Sequence, residues 1–167
     1  MRSSRIMSCL IGLLVAAWIG LASSPAAKAQ TTNPKLAATA AKVTQLLQGS
    51  GYTFTTHNAV TWSVDLQRKN VGKVRVIISV GDDIVVVFVI LGKKAKINKS
   101  LQFLDALALA NYTYDYVKIC LDKDGDLGVR IDSLSRLMDL AQLKSEIEQV
   151  ANTSDEWFPQ ISAYVSR

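Results

Sequence analysis

Three aspartates at alternate positions in the stretch CLDKDGDLGVRID have residue types and a spacing that could bind a metal ion. Asp122, Asp124 and Asp126 match the first oxygen ligands of a calcium-binding EF-hand loop. That loop also needs glycine at its sixth position and glutamate at its twelfth, where this chain has Leu127 and Ser133. The flanking residues alternate between apolar and polar, as strands do, and Asp and Gly favour tight turns. The stretch therefore predicts a β-hairpin without a specific calcium site.

His57, the only histidine of the chain, and Cys120 are the other residues with catalytic potential. A nucleophilic pair would need the two side chains in contact, and nothing in the sequence supports that contact. One cysteine and one histidine cannot complete a structural zinc site. The chain also lacks a Gly-rich phosphate loop, a serine elbow and an HExxH motif. We therefore predict a surface histidine, a buried thiol, no catalytic residue, no metal ligand and no cofactor, in a protein that is not an enzyme.

The densest basic run is the loop GKKAKINKS, which contains Lys93, Lys94, Lys96 and Lys99. These four side chains are candidates for contact with an anion or with a protein partner. The simpler interpretation is a solvated loop whose charge keeps the preceding Val-rich strand from aggregating. The sequence favours the solvated loop and leaves the binding role open.

Residues 1–29 have the three segments of a secretory signal peptide. Arg2 and Arg5 give a positive start, residues 9–22 are an unbroken apolar run, and Ala27 and Ala29 are the small residues of a cleavage site. The alternative, a membrane anchor, is disfavoured because the apolar run is too short to span a bilayer comfortably. We expect cleavage after Ala29 and export to the periplasm or the medium.

Export also changes the charge of the protein. Of the 19 basic residues, Arg2, Arg5 and Lys28 precede the cleavage site, whereas the 14 acidic residues all follow it. The mature chain is therefore close to neutral, with a net charge of about +2, and nucleic-acid binding loses its electrostatic argument. No later segment reaches membrane-spanning length, so no span is expected in the mature chain.

The apolar periodicity of residues 30–167 predicts a single α+β domain with the element order α-β-β-β-α-β-β-α. A first helix over residues 34–48 precedes three alternating strands. A second helix ending near Asn111 has a buried side that we expect to contain Ile97, Leu101, Leu104 and Ala108. Strands joined by tight turns pair antiparallel, which gives an antiparallel sheet of about five strands with flanking helices. The strand IVVVFVIL is apolar on both faces, so we expect it to be central and covered on both sides.

The last helix is expected to start after Asp132 and Ser133, which resemble a cap, and to break at NTSDE. A terminal turn would then carry Trp157, Phe158 and Ile161. These three side chains are candidates for a partner surface, although packing against their own domain is an equal alternative.

The stretch LANYTYDYVKICLDKDGDLGVRIDSL resembles the YbjN-domain family of bacterial sensory transduction regulators. The features that carry the resemblance are Asn111 at the end of a helix, the DGDL hairpin at residues 124–127, and Asp132. The element order is similar to the type III secretion chaperone-like fold, and the resemblance covers about residues 34–152. It implies a non-enzymatic, often dimeric domain that acts through protein contacts, and it supplies no catalytic residues. The signal peptide departs from the cytoplasmic members of that family.

Together these observations predict an exported protein-binding or chaperone-like regulatory module. Its expected partners are a protein or peptide and, in a homodimer, a second copy of the chain. The alternative is a periplasmic protein that binds a small ligand or an anion through the Lys93–Lys99 loop.

Overall fold

The computed structural model describes residues 33–166, so the predicted signal peptide and its cleavage site lie outside the described residues. None of the helices within this range combines the length and apolar composition needed to cross a bilayer. The elements in chain order are α1 (Pro34–Gly49), β1 (Phe54–Asn58), β2 (Thr61–Gln67), β3 (Lys73–Val80), β4 (Ile84–Gly92), α2 (Leu101–Thr113), β5 (Lys118–Leu121), β6 (Leu127–Leu134) and α3 (Leu140–Ile161).

The strands form one antiparallel sheet in the order β1-β2-β3-β4-β6-β5. This confirms the predicted α+β class and the predicted central place of β4. The sheet has a sixth strand, β1, which the sequence analysis missed. Its residues, FTTHN, are mostly exposed and show no apolar alternation, because β1 is an edge strand whose side chains contribute little to the core.

The hydrophobic core lies on one face of the sheet. Val85, Val87 and Val89 of β4 point into it, and α3 packs over β3, β4 and β6 on this side, with α1 against β3 and α3. α2 lies beside β5 and also contacts α3. The expectation that β4 is covered on both sides is wrong, since the described helices pack on a single face.

The start of α3 differs from the prediction. β6 continues through Asp132 and Ser133 as far as Leu134, and the helix begins at Leu140 with Asp139 as its N-cap, whose carboxylate accepts the Gln142 N–H at 2.8 Å. The apparent cap failed as a signal because both polar residues are used in the sheet. Asp132 is ion-paired, and the Ser133 hydroxyl donates to Glu146.

The predicted break of α3 at NTSDE does not occur, and Asp155 of this stretch makes tertiary hydrogen bonds from within the helix. The Asp155 carboxylate accepts the backbone N–H groups of Asn70 and Val71, at 2.6 and 2.9 Å, in the β2–β3 loop. Pro159 has no N–H to donate to the Asp155 carbonyl one turn earlier, and the Asn70 side-chain amide donates to that carbonyl instead, at 3.1 Å. Burial raises the pKa of Asp155, but the loop N–H donors outweigh it and lower the pKa below its usual value.

Asn111 closes the outer edge of the sheet at β5. Its side-chain amide donates to the Ile119 carbonyl at 2.6 Å and accepts the Ile119 N–H at 2.9 Å, as a neighbouring strand would. Ile119 is buried, so these backbone groups would otherwise lack partners. Asn111 therefore holds the end of α2 against β5. It also occupies edge-strand backbone groups that could otherwise pair with another chain and lead to aggregation.

The DKDGD turn is the predicted hairpin between β5 and β6. Asp122 Oδ1 accepts the backbone N–H groups of Asp124 and Asp126, both at 2.9 Å, and Gly125 has φ +84°. Asp126 in turn binds Lys93 and the N–H of Lys94. The carboxylates of Asp122 and Asp126 thus hold the turn and its neighbouring loop together.

Replacing Gly125 with alanine is expected to lower the free energy of unfolding by about 1 kcal/mol, because an L-residue at that positive φ is strained. The matched control is Gly81→Ala, in the β3–β4 turn, where an added Cβ would meet no atom within 4 Å and φ is not in the left-handed region. Urea unfolding of both variants measures the difference. Equal stability of the two variants would contradict the assignment.

Candidate functional site

The face of the sheet opposite the core is left uncovered by the described helices. We call it the open face, and it carries the side chains that alternate with the buried ones. Antiparallel pairing places Ile77 of β3 beside Phe88 of β4, and Phe88 beside Arg130 of β6. Two residues before Phe88 in β4, Val86 pairs with Asp132.

Four apolar residues form a strip along the middle of the open face: Ile77, Val86, Phe88 and Ile90. Ile77, Val86 and Phe88 are only half-buried, and Ile90 is 37% exposed. A cleft of about 500 Å³ opens over part of this strip, and its lining includes Cys120 of β5. An uncovered strip of large apolar side chains is typical of a surface that binds another protein.

Ion pairs border the apolar strip on its β2–β3 side. Asp65 binds Arg75 and Lys73, both at 2.8 Å. Hydrogen bonds from these two cations hold the pKa of Asp65 well below its usual range. The carboxylate therefore stays charged at any physiological pH.

A second set of ion pairs borders the strip on its β5–β6 side. Asp132 binds Lys118 at 2.8 Å and also binds Arg130. Partial burial raises the pKa of Asp132, but Lys118 and Arg130 outweigh it and lower the pKa. An apolar centre with a charged and self-neutralised rim is the usual anatomy of a protein interface.

His57 and Cys120 do not meet. His57 lies on β1 and Cys120 on β5, at opposite edges of the six-stranded sheet, about 24 Å apart at the usual spacing between strands. The His57 Nε2 atom lies 2.8 Å from Ser63 Oγ, and burial raises the pKa of the Cys120 thiol. Within residues 33–166, no group of three His, Cys, Asp or Glu side chains is placed to hold a metal ion.

The basic loop is anchored to the β5–β6 hairpin. Asp126 accepts a hydrogen bond from Lys93 Nζ at 2.7 Å and from the Lys94 backbone N–H at 2.8 Å. The side chains of Lys94 and Lys99 lie close to Gly125. The hydrogen bond to Asp126 raises the pKa of Lys93 and lowers that of Asp126.

Lys93 and Lys96 also line a second cleft, of about 520 Å³, at the same end of the sheet. Its apolar wall includes Val71, Phe158 and Val165. Two of the four predicted lysines therefore line this cleft, whereas Lys94 and Lys99 lie against the hairpin.

Trp157 and Ile161 do not belong to an exposed partner surface. Both are fully buried in the core beneath α3. The alternative considered from the sequence, packing against their own domain, is what the structure shows for these two side chains. Phe158 is half-buried at the second cleft.

α2 presents a second apolar surface that the sequence analysis assigned to the core. Leu101, Leu104, Ala108 and Tyr112 lie on one side of the helix and are exposed, with Leu101 at 76% and Tyr112 at 88%. The predicted buried side was wrong because this helix is apolar on nearly all sides, so periodicity could not tell which one faces the core. The side that is buried holds Phe103 and Ala110.

The fold is the type III secretion chaperone-like fold. A chain of the heterodimeric ExoU–SpcU complex from the type III secretion system of Pseudomonas aeruginosa is similar with a TM-score of 0.53 and 15% identity, covering 71% of this chain and 97% of that chain. The crystal structure of YbjN from E. coli is similar with a TM-score of 0.56 and 16% identity, covering 75% and 93%. These identities establish similarity of fold.

The chain belongs to the YbjN family. The family model, described as "Putative bacterial sensory transduction regulator", matches residues 39–163. This confirms the resemblance inferred from the DGDL stretch. No functionally curated protein matches the chain significantly.

Proposed function

We propose that this protein binds another polypeptide across the open face of its sheet and acts as a chaperone-like regulatory module. The observation that carries the proposal is the apolar strip at the centre of a sheet whose helices, within residues 33–166, pack on the other side. Membership of a family described as sensory transduction regulators supports a regulatory role. The presence of a similar chain in a heterodimeric complex supports a protein partner.

The strip fits a protein partner better than a small molecule. The cleft is lined by Val86, Phe88 and Ile90 but does not include Ile77, and the rim of the strip on either side is already neutralised by its own ion pairs. A partner segment of modest size would cover Ile77, Phe88 and Ile90 together, and an interface of about 800 Å² on each partner is enough for a stable complex. Large apolar anchors near the centre of such an interface supply most of the binding energy.

The test is photo-cross-linking from the centre of the strip. A benzophenone side chain at position 88, introduced in the cells that make this protein, is expected to give a discrete adduct with a protein. The matched control is position 55, since Thr55 lies on the same transverse row of the sheet about 14 Å away, through Ser63 and Ile77. The adduct is expected to disappear when Ile77→Asp is added, because a charge there disfavours apolar contact.

Equal adducts from positions 88 and 55, or none from either, would remove the open face as the binding site. An adduct that persists in the Ile77→Asp variant would show that the apolar strip does not hold the partner.

We propose further that the protein pairs with a second copy through the exposed apolar side of α2. Helices with such stripes associate by packing them together. Sedimentation of the chain is expected to show a dimer, and Leu101→Glu combined with Tyr112→Glu is expected to weaken it by about tenfold or more. Ala41→Glu, which adds the same charge to an exposed site on α1, serves as the control. A monomer at high micromolar concentration in the unmodified chain would contradict the proposal.

Export is part of the same proposal, supported by the basic start, apolar run and Ala27–Ala29 site of residues 1–29. N-terminal sequencing of protein recovered outside the cytoplasm is expected to begin at Gln30. Recovery of a membrane-bound chain that still begins with Met1 would contradict cleavage.

The alternative function, binding of a small ligand or anion by the basic loop, has one structural observation in its favour. Lys93 and Lys96 line the second cleft. The Lys93 ammonium is already ion-paired with Asp126, and the negative charges of Asp122 and Asp124 also attract it. The positive potential available to an anion is therefore reduced, and the open face carries the stronger argument.

A further inference from the structure

A small polar cleft lies where β6 extends beyond β5. Pairing with β5 ends at Arg130, opposite Lys118, whereas β6 continues to Leu134 along β4. In the described chain, residues 131–134 therefore have a strand neighbour on one side only. The cleft, of about 310 Å³, lies between this free edge, Tyr116 and the first turns of α3.

The cleft contains a buried carboxylate with one unsatisfied oxygen. Glu146 is 1% exposed, and its Oε1 accepts hydrogen bonds from the Ser133 hydroxyl and from Gln142 Nε2. Its Oε2 is buried and has no hydrogen-bond partner among residues 33–166. Burying a carboxylate oxygen without a donor is costly, and the cost is relieved when a hydrogen-bonded cation binds. The cleft therefore favours binding of a positively charged hydrogen-bond donor.

The remaining groups of the cleft select the kind of cation. The side-chain nitrogens of Gln142 and Gln149 already donate, to Glu146 Oε1 at 2.7 Å and to Ser145 Oγ at 3.1 Å. Their amide oxygens remain as acceptors, together with Glu146 Oε2. Three acceptors match the three donors of an ammonium group. A guanidinium group binds a carboxylate best through paired hydrogen bonds to both oxygens, and Glu146 Oε1 already accepts two hydrogen bonds, so that advantage is lost here.

Tyr116 gives a second, independent indication of a ligand. It is the non-glycine residue with positive φ in the described chain, at +63°, and 87% of its surface is exposed beside the cleft. Such a conformation is strained, and strained residues occur preferentially at binding sites. An exposed aromatic ring at the mouth of the cleft could cover the aliphatic stem of a long basic side chain.

The free edge of β6 would orient the chain that carries this side chain. In an antiparallel pair of strands, every second pair of facing residues is hydrogen-bonded. Counting from Asp122, whose N–H donates to the Asp126 carbonyl, makes Lys118 and Arg130 a hydrogen-bonded pair. Continuing the alternation turns the backbone N–H and C=O of Asp132 toward the free edge. An extended segment paired there would lie beside the cleft.

We propose that this cleft binds the ammonium group of a lysine carried by an extended segment of the protein partner. The proposal rests on the proposed function in one respect, that the ligand is a polypeptide. The open face and the cleft are nevertheless separate sites, since Glu146 lies on the core side of the sheet.

The test is an NMR titration of the purified protein with the peptide acetyl-TVKVT-amide, observed at the side-chain amides of Gln142 and Gln149. A twin peptide with ε-acetyl-lysine removes the charge, and acetyl-TVRVT-amide replaces the ammonium with a guanidinium. The lysine peptide is expected to bind about tenfold more tightly than either twin, because each loses the charge-assisted ammonium contact. Glu146→Gln is expected to abolish this preference, and Glu156→Gln, the same change at an exposed position of α3, to retain it.

Retention of the preference in Glu146→Gln would overturn the proposal, as would equal binding of the three peptides. Equally tight binding of free butylammonium would overturn the assignment to a polypeptide, and displacement of the lysine peptide by potassium or calcium chloride at matched ionic strength would assign the cleft to a metal cation. If Glu146→Gln fails to fold, Gln149→Ala, at an exposed position, is expected to weaken the lysine peptide and leave its acetylated twin unchanged.

The outcome is independent of the test of the open face. Ile77→Asp is expected to leave the lysine preference intact while it removes cross-linking from position 88. If the protein without Ile77→Asp cross-links from position 88 but shows no lysine preference, the lysine site alone is rejected. If it shows the preference but gives no adduct from position 88, the open face alone is rejected.

Discussion

The architecture depends on one constraint: β4 is apolar on both faces, and the helices that the structure describes cover only one of them. Val85, Val87 and Val89 anchor α3, whereas Val86 and Phe88 alternate with them and point the other way. In a sheet buried on both sides, such a strand would be unremarkable. Here it places a row of large apolar side chains at the centre of an open surface. Burying that row against a partner would gain free energy roughly in proportion to the apolar area removed from water.

Single polar side chains hold the rest of the molecule around that sheet by satisfying backbone groups. Asn111 supplies β5 with the hydrogen bonds of a missing strand, Asp126 holds the basic loop against the hairpin, and Asp155 binds the β2–β3 loop to α3. Asp126 and Asp155 join elements that are distant in sequence, and Asn111 joins the neighbouring elements α2 and β5. Each of the three serves backbone groups that would otherwise lack partners. These contacts hold connecting segments against the sheet and α3, so a partner would meet a surface whose neighbouring loops are already held in place. Preorganisation of this kind lowers the entropic cost of binding.

The sequence predicted those elements whose local pattern agrees with their surroundings. α1 has a proline at its first position and an asparagine cap, and the β5–β6 hairpin has its Gly125 turn, so both were predicted close to their observed limits. The errors occurred where polar residues serve a distant part of the chain. Ser133 resembles a cap but binds Glu146 beneath the sheet, and Asp155 resembles a helix breaker but binds a loop 85 residues away. Neither partnership leaves a local signal.

The candidate sites were harder to predict for the same reason. The only sign of the open face in the sequence was a strand without polar residues. The sequence predicts three helices, but it does not show which face of the sheet each of them covers. The exposed side of α2 was concealed by an apolar composition all round the helix. Glu146 carries no motif, and its environment arises only when β6 extends past β5 and brings Ser133 over α3. Chemistry that depends on the relative lengths of two strands is a tertiary property.

The positions of the three surfaces determine how they could work together. α2 lies beside β5 on the helix side of the sheet, and the apolar strip lies on the opposite side. Association of two copies through α2 would therefore leave both open faces accessible, and a dimer could hold one partner chain at two places. Two linked contacts bind far more tightly than either alone when the connecting segment can span them. The free edge of β6 begins where its pairing with β5 ends, so an extended segment that leaves the open face past this edge would reach the Glu146 cleft on the other side of the sheet.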